Sequence, residues 1–169
     1  MRAAIVVLVA CTSTSVAVST SPAPRAQSDE WRTFQGSWSA VGRRHTLPTD
    51  RGTASVVQLS GAVVLTDAAG ASFGFQGQAI GFDDAEGASV GRAVWTDAHG
   101  DRIFSVLKGE PLHTGRRIVG TIGGGTGAYA NVTGEYALTW QYVVSGEDDV
   151  MQGRTVDLNG RFRRGEKQP

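Results

Sequence analysis

The sequence predicts an all-β protein, folded as a closed eight-stranded antiparallel β-barrel. Apolar and polar residues alternate with a period of two in eight short runs, which is the pattern of strands with one buried face. Turns rich in glycine and aspartate separate these runs, and no stretch has helical periodicity. Closing such a sheet into a barrel would bury one face of every strand and leave no exposed edge.

The clearest alternation lies in residues 135–143. Tyr136, Leu138, Trp140 and Tyr142 occupy every second position, and mostly more polar residues stand between them. We expect the four to point into the barrel because successive side chains of a strand face opposite sides of the sheet. The predicted strands span residues 33–41, 54–65, 72–82, 88–96, 102–108, 116–122, 132–144 and 154–163.

Alternation also assigns inner faces to the second and eighth strands, but it leaves the fifth ambiguous. The predicted inner residues are Val57, Leu59, Gly61, Val63 and Leu65 in the second strand, and Val156, Leu158, Gly160 and Phe162 in the eighth, where Thr155 faces outward. In the fifth strand, Ile103 and Leu107 compete with Phe104 and Val106 for the inner face. Apolar residues on both faces there suggest an oligomer contact.

The first eleven residues have the features of an export signal. A positively charged start precedes an apolar core at residues 3–10, which is far shorter than the roughly 20 residues needed to span a bilayer. Cys11, the only cysteine, follows an LVA tripeptide, and this arrangement resembles the lipobox of bacterial lipoproteins. We favour lipidation of Cys11 at the periplasmic face of a bacterial membrane. The alternative is ordinary secretion after cleavage near residues 17–19.

Composition divides the remaining chain into a tether, one domain and a short tail. Residues 12–30 are rich in serine, threonine and proline, which predicts a flexible tether between the lipid anchor and the folded part. The barrel domain is expected over residues 31–165 and a disordered tail over residues 166–169. On this interpretation the protein meets the membrane only through its lipid anchor.

The charge balance argues against a nucleic-acid partner. The chain has 16 basic and 16 acidic side chains, whereas a nucleic-acid-binding domain carries a large basic excess. Basic residues do gather near the C-terminus, at Arg161, Arg163, Arg164 and Lys167, and we interpret them as a solvated chain end.

One glycine-rich segment resembles a known superfamily. Residues 123–129 read GGGTGAY and are followed by NVTG, which resembles the GGTGxY…G turn of allene oxide cyclase-like and dirigent-like β-barrels. The resemblance implies an eight-stranded barrel with a central cavity, often assembled as dimers or trimers. It also implies members that guide or cyclise small hydrophobic molecules, but it transfers no catalytic residue to this chain. Gly36-Ser37-Trp38 is similar to the GxW motif of lipocalin-type barrels, a second and shorter match.

No motif for catalysis, metal binding or a cofactor stands out. The histidines His45, His99 and His113 lack the spacing of metal ligands, and His99 lies in a predicted hairpin turn between Asp97 and Asp101. The acidic segments at 83–86 and 147–149 match no calcium-loop spacing. The glycine run lacks the lysine of a phosphate-binding loop, and no nucleophile elbow is present. We therefore assign no catalytic residue, no metal site and no cofactor.

What remains is an aromatic interior, which has two interpretations. Apolar walls with a few hydroxyl groups suit a small hydrophobic ligand in a barrel, yet an eight-stranded barrel can also be filled by its own side chains. Trp95 is the least certain member because its face includes polar residues and glycine. The candidate lining residues are Trp38, Phe75, Trp95, Tyr136, Leu138, Trp140 and Tyr142.

Three functions follow from these interpretations. The first is a lipid-anchored module that binds a small hydrophobic molecule in the barrel. The second is a structural or interaction protein of the cell envelope with a filled barrel and an outward apolar stripe on the fifth strand. The third is a cofactor-free cyclase or isomerase, which Glu135 or Gln141 would favour if either pointed inward.

Overall fold

The structure, a computed structural model, describes residues 30–145 and 149–165, and within them it forms the predicted closed barrel. Each strand pairs antiparallel with the next, and β8 closes the barrel against β1. The proposed leader with Cys11, most of the tether, the tail, Glu147 and Asp148 lie outside the described residues. The strands are β1 Arg32–Thr49, β2 Gly52–Asp67, β3 Ser72–Asp83, β4 Ser89–Thr96, β5 Arg102–Leu112, β6 Gly115–Gly125, β7 Val132–Ser145 and β8 Val150–Arg164.

The two ends of the barrel differ. One end, here called the plug end, holds the start of β1, the end of β8 and a short 3-10 helix, Gly127–Tyr129. The opposite end, called the distal end, holds the β1–β2, β3–β4 and β5–β6 turns. Within the described ranges, no helix is long and apolar enough to span a bilayer.

Strands are longer than predicted mainly at the distal end. The sequence predicts that β1 ends at Val41, but the strand pairs with β2 as far as Thr49, which lies opposite Gly52. Residues 42–49 contain charged residues and a proline and have no regular apolar alternation, because most of this ribbon is exposed. Backbone pairing rather than burial therefore extends the strand, and it carries Arg44 to the distal end.

The predicted inner face of β2 is confirmed. Leu59, Val63 and Leu65 are buried, whereas Val56 and Val64 are exposed on the outer face. The structure also resolves the ambiguity in β5, since Ile103 is buried and Phe104 and Val106 are exposed. Both faces of β5 therefore carry apolar side chains, one in the core and one on the outside.

The inner face of β8 was predicted only in part. Leu158 is buried as expected, but Thr155 is buried instead of facing outward and Val156 is only half-buried. The cause is a bulge that adds one residue to β8 between its pairs with Gly36 and Ser39 of β1. Asp157 has a φ of 58° at this point. A bulge of one residue shifts the alternation, so inward-facing residues are odd-numbered on one side of the bulge and even-numbered on the other. The hydrophobic pattern of the sequence does not reveal such a shift.

Candidate functional site

The candidate lining residues lie inside the barrel, and six of the seven are buried. Trp95 is among the most deeply buried side chains, at 2% exposure, so its uncertain orientation is resolved as inward. Tyr142 is the exception, because it is half-buried near the distal end. The buried set is Trp38, Phe75, Trp95, Tyr136, Leu138 and Trp140.

The aromatic rings form two groups along the barrel axis. Toward the plug end, the ring of Trp95 lies 4.7 Å from that of Tyr136 and 6.3 Å from that of Phe75, measured between centroids. Toward the distal end, the rings of Trp38 and Trp140 are 5.2 Å apart. Tilted ring pairs at these distances are favourable packing arrangements. Most of the interior is therefore filled by its own side chains.

Two small cavities lie within the part of the barrel that the structure describes. One, of about 90 Å³, lies near the plug end among Phe34, Phe75, Trp95, Ile103 and Tyr129. The other, of about 70 Å³, lies toward the distal end and is called the distal cavity. Both are well below the roughly 300–1,000 Å³ of typical small-molecule pockets. Residues bordering the distal cavity include Trp38, Val57, Leu107, Ile118, Trp140 and Tyr142.

The plug end is closed by the glycine-rich turn. Tyr129 packs its ring 5.7 Å from that of Phe75, across the barrel mouth. Two hydrogen bonds to side chains help to hold the turn: the Ala128 N–H donates to the Asp101 carboxylate at 2.8 Å, and the Arg102 N–H donates to the Thr126 hydroxyl at 2.9 Å. The resemblance to GGTGxY turns therefore coincides with a structural role, in which the aromatic residue packs at the turn.

The Asp97–Asp101 segment is the hairpin turn that the sequence predicts. The Asp97 carboxylate accepts hydrogen bonds from the N–H groups of His99 and Asp101 at 2.8 and 3.0 Å. Although desolvation opposes the change, these bonds and one from the Tyr129 hydroxyl lower the pKa of Asp97. Among the described residues, no group of three histidine, cysteine, aspartate or glutamate side chains is placed to hold a metal ion.

A cluster of polar side chains at the distal end borders the distal cavity. Its centre is Asp83, which is only 7% exposed. Hydroxyl groups of Ser89 and Ser55 donate to the two carboxylate oxygens of Asp83 at 2.8 and 3.4 Å. Arg116 pairs with the same carboxylate at 3.2 Å, and Arg44 lies 3.9 Å from it.

The two arginines connect this distal cluster to the rest of the barrel end. Arg116 donates to the Ser89 hydroxyl at 2.5 Å and to the backbone carbonyl of Gly87 at 3.2 Å. Arg44 donates to the Tyr142 hydroxyl at 2.5 Å, and its guanidinium carbon lies 4.8 Å from the centroid of the Tyr142 ring. The distal cluster consists of Arg44, Ser55, Asp83, Ser89, Arg116 and Tyr142.

Three buried hydrogen-bond donors in this region lack a partner among the described residues. They are the indole Nε1 atoms of Trp38 and Trp140 and the Nε of Arg44. Buried polar groups in proteins are nearly always hydrogen-bonded, so each such atom calls for an explanation. All three are donors, and both indoles border the distal cavity.

Sequence reasoning identified the aromatic walls of this site but not most of the polar cluster. The sequence predicts a turn at Asp83, although Asp83 continues the inward alternation of Phe75, Gly77 and Gly81 in β3. This alternation is the sequence signal that places the Asp83 side chain inside the barrel. No sequence signal places Arg44 at the site, because its segment has no apolar alternation and its position depends on the pairing of β1 with β2.

The outer wall carries the remaining features. Glu135 pairs with Arg161 at 2.6 Å on the outer face, and the alternation of β7 places Gln141 on the same side. These positions weaken the cyclase or isomerase hypothesis, which an inward-pointing Glu135 or Gln141 would have favoured. A groove of about 840 Å³ also crosses β7, β8 and β1, and its Glu135 and Arg161 are already paired with each other.

Comparisons with known proteins find similar structures but no family. No protein-family model matches the chain, and no curated protein is significantly similar to it. The pterocarpan synthase dirigent protein GePTS1 superposes with a TM-score of 0.46 at 14% identity, over 85% of this chain and 92% of that chain. Pyocyanin demethylase superposes with a TM-score of 0.39 at 15% identity, over 76% of this chain and 99% of that chain. Strand pairing, and not these superpositions, establishes the barrel.

Proposed function

We propose that this protein is an exported, lipid-anchored β-barrel that binds a small hydrophobic molecule at its distal end. The observation that carries the proposal is the distal cavity, which has apolar walls, is bordered by two tryptophans with unpartnered indole N–H groups, and lies beside the distal cluster. A few polar groups beside an apolar cavity are the usual composition of a small-molecule site. Because the distal cavity is small, only a narrow part of the ligand enters it and the rest lies at the barrel mouth.

Export and anchoring are supported by the leader alone. The charged start, the short apolar core and Cys11 have the order that a lipoprotein signal requires. Cell fractionation tests this part of the proposal. The wild-type chain should sediment with membranes and acquire lipid mass at Cys11, whereas Cys11→Ser should lose the lipid mass. An unmodified Cys11 in protein released to the medium would instead establish ordinary secretion.

Native mass spectrometry tests the binding function. The domain from residue 28 to residue 169 would be purified gently from a bacterial host and measured before and after denaturation. A stoichiometric small molecule that is lost on denaturation is the expected result. A clean ligand-free mass, together with no calorimetric binding of octanoate, octanol or octylammonium, would contradict the proposal.

A second candidate function is an interaction protein of the cell envelope with a filled barrel. It is favoured by the small size of both interior cavities and by an apolar patch on the outer wall. This outer patch runs across β2–β5, where Val56 pairs with Phe82 and Phe82 pairs with Val90. Its exposed members are Val56, Ile80, Phe82, Val90, Phe104 and Val106. A second copy of the chain, in a dimer or trimer, is the proposed partner of this patch.

A further inference from the structure

We infer that the ligand of the distal site is an amphiphilic anion. Its carboxylate-type head pairs with Arg44 and Arg116, and its narrow apolar chain enters the distal cavity beside Trp38 and Trp140. This inference rests on the proposed binding function, because it specifies the chemistry of the ligand at that same site.

The charge of the distal cluster supports an anion. Arg44 and Arg116 contribute two positive charges, and Asp83 contributes one negative charge, so the cluster has one positive charge in excess. The side chain of Arg116 is 18% exposed and that of Arg44 is 31% exposed. Charges that are largely removed from water are costly unless they are paired. An anion bound between the two guanidinium groups would balance the cluster.

The two pairings of Asp83 are unequal, and the difference indicates which arginine is available. Arg116 approaches the carboxylate at 3.2 Å, whereas Arg44 stays at 3.9 Å and has no partner for its Nε among the described residues. Arginine presents several donors in a rigid fork that matches a carboxylate. Arg44 is therefore the more weakly paired of the two arginines, and its side chain is 31% exposed, which leaves its guanidinium group open to an incoming acid group.

The unpartnered atoms also indicate that the head group of the ligand accepts hydrogen bonds instead of donating them. Each unsatisfied buried side-chain atom found in residues 30–145 and 149–165 is a donor, and two of the three belong to tryptophans that border the distal cavity. Both oxygens of Asp83 already accept hydrogen bonds. A cationic ligand would find this carboxylate occupied and two arginines beside it, so it would be repelled.

The size of the cavity limits the apolar part of the ligand. A volume of about 70 Å³ is several-fold below the roughly 300–1,000 Å³ of typical small-molecule pockets, so only part of a ligand enters it. The end of an unbranched alkyl chain is thinner than an aromatic ring and is therefore the apolar group that enters so small a space most readily. The cavity therefore favours a thin chain, and the distal cluster favours an acidic head.

Three probes with the same chain separate these features. Octanoate, octanol and octylammonium share an eight-carbon chain and differ in the charge of the head. Binding would be measured by isothermal titration calorimetry to residues 11–169 carrying Cys11→Ser, at concentrations below micelle formation and at two salt concentrations. Octanoate should bind about tenfold more tightly than octanol, as expected for a charge-assisted hydrogen bond. Octylammonium should bind more weakly than both.

Two variants of the distal cluster should change octanoate binding in opposite directions. Arg44→Gln should reduce the affinity to that of octanol, whereas Asp83→Asn should raise it because both arginines lose their internal partner. Loss of stability alone could not produce opposite effects. Arg44→Lys keeps the charge and should retain part of the preference, and Arg161→Gln, on the outer wall, is the matched control that should change nothing. Thermal unfolding would verify that each variant is folded.

The outcomes separate the inference from the function on which it rests. Equal binding of octanoate and octanol, unaffected by Arg44→Gln, would overturn the anion preference but leave a hydrophobic-ligand site. Preference for octylammonium would also overturn it. Binding of none of the three probes by the folded wild type would count against both the inference and the proposed binding function.

Discussion

Tyr136 shows how a single glycine shapes the core. A Cβ atom added at Gly120 would lie 2.1 Å from Cζ of Tyr136, so only glycine allows the ring to pack against β6. The ring is thereby held beneath Trp95, and its hydroxyl is hydrogen-bonded to Ser105. A glycine in a strand usually weakens it, and here the cost is offset by the aromatic ring that fills the space.

Gly120→Ala should therefore destabilise the protein by about 1–3 kcal/mol, the range for overpacking a core. Urea unfolding followed by tryptophan fluorescence would measure the change. Gly123→Ala is the matched control, because a Cβ atom at Gly123 would meet nothing within 4 Å. It should change stability by no more than about 0.5 kcal/mol. Equal effects of the two substitutions would contradict this account of Tyr136 packing.

The burial of Tyr136 also predicts a loss of stability at alkaline pH. Desolvation raises the pKa of Tyr136 to about 12, although a hydrogen bond with Ser105 opposes the shift. Between about pH 10 and 12 the unfolded chain gives up this proton while the folded chain keeps it, so stability falls as pH rises. A shift of two pH units corresponds to about 3 kcal/mol.

Denaturant unfolding between pH 9 and 12 would measure this effect, with Tyr136→Phe as the comparison. The variant lacks the titrating group, so its stability should fall less over the same range. Parallel pH profiles for the two proteins would mean that Tyr136 does not cause the loss.

The bulge in β8 interrupts the inward–outward alternation of the strand, and a hydrogen bond at the bulge explains why. The N–H of Trp38 donates to the Thr155 hydroxyl at 2.8 Å, at the point where the register between β1 and β8 shifts. The extra residue in β8 thus turns the Thr155 hydroxyl inward. There it accepts a hydrogen bond from the buried N–H of Trp38, which has no backbone partner in β8. A bulge that replaces a backbone partner with a side-chain partner keeps the buried donor satisfied.

Thr155→Val should destabilise the protein by about 1–3 kcal/mol, because it keeps the shape but leaves a buried donor unsatisfied. Thr155→Ser retains the hydroxyl and should therefore keep most of the wild-type stability. Chemical denaturation of the three proteins would measure these changes. Thr121→Val, on the exposed face of β6, is the control and should have little effect. A Thr155→Val protein as stable as wild type would show that the hydrogen bond is dispensable.

For the whole molecule, the outer patch on β2–β5 is the feature that bears on assembly. Val56, Phe82 and Val90 are each more than 40% exposed and adjacent across three strands. Contiguous exposed apolar surface is typical of interaction sites. If a second copy covers it, a charge placed there should dissociate the assembly without altering the barrel.

Val90→Glu should therefore shift the protein toward the monomer, as measured by light scattering after size-exclusion chromatography. Val41→Glu is the matched control, because Val41 on β1 is equally exposed at 55% but lies outside the outer patch. A monomeric wild-type protein, or an equal effect of both substitutions, would contradict the proposed contact.

The sequence by itself determined the barrel and its aromatic interior. Eight alternating runs separated by turns predict the number of strands. The alternation is strong in β2 and β7 because one face of each strand is buried, and it predicts their inner faces and the burial of Tyr136 and Trp140. Only the tertiary structure decided the polar half of the candidate site. Arg44, Asp83 and Arg116 come from β1, β3 and β6, and neither hydrophobic alternation nor local motifs report how barrel closure and strand register bring distant polar residues together.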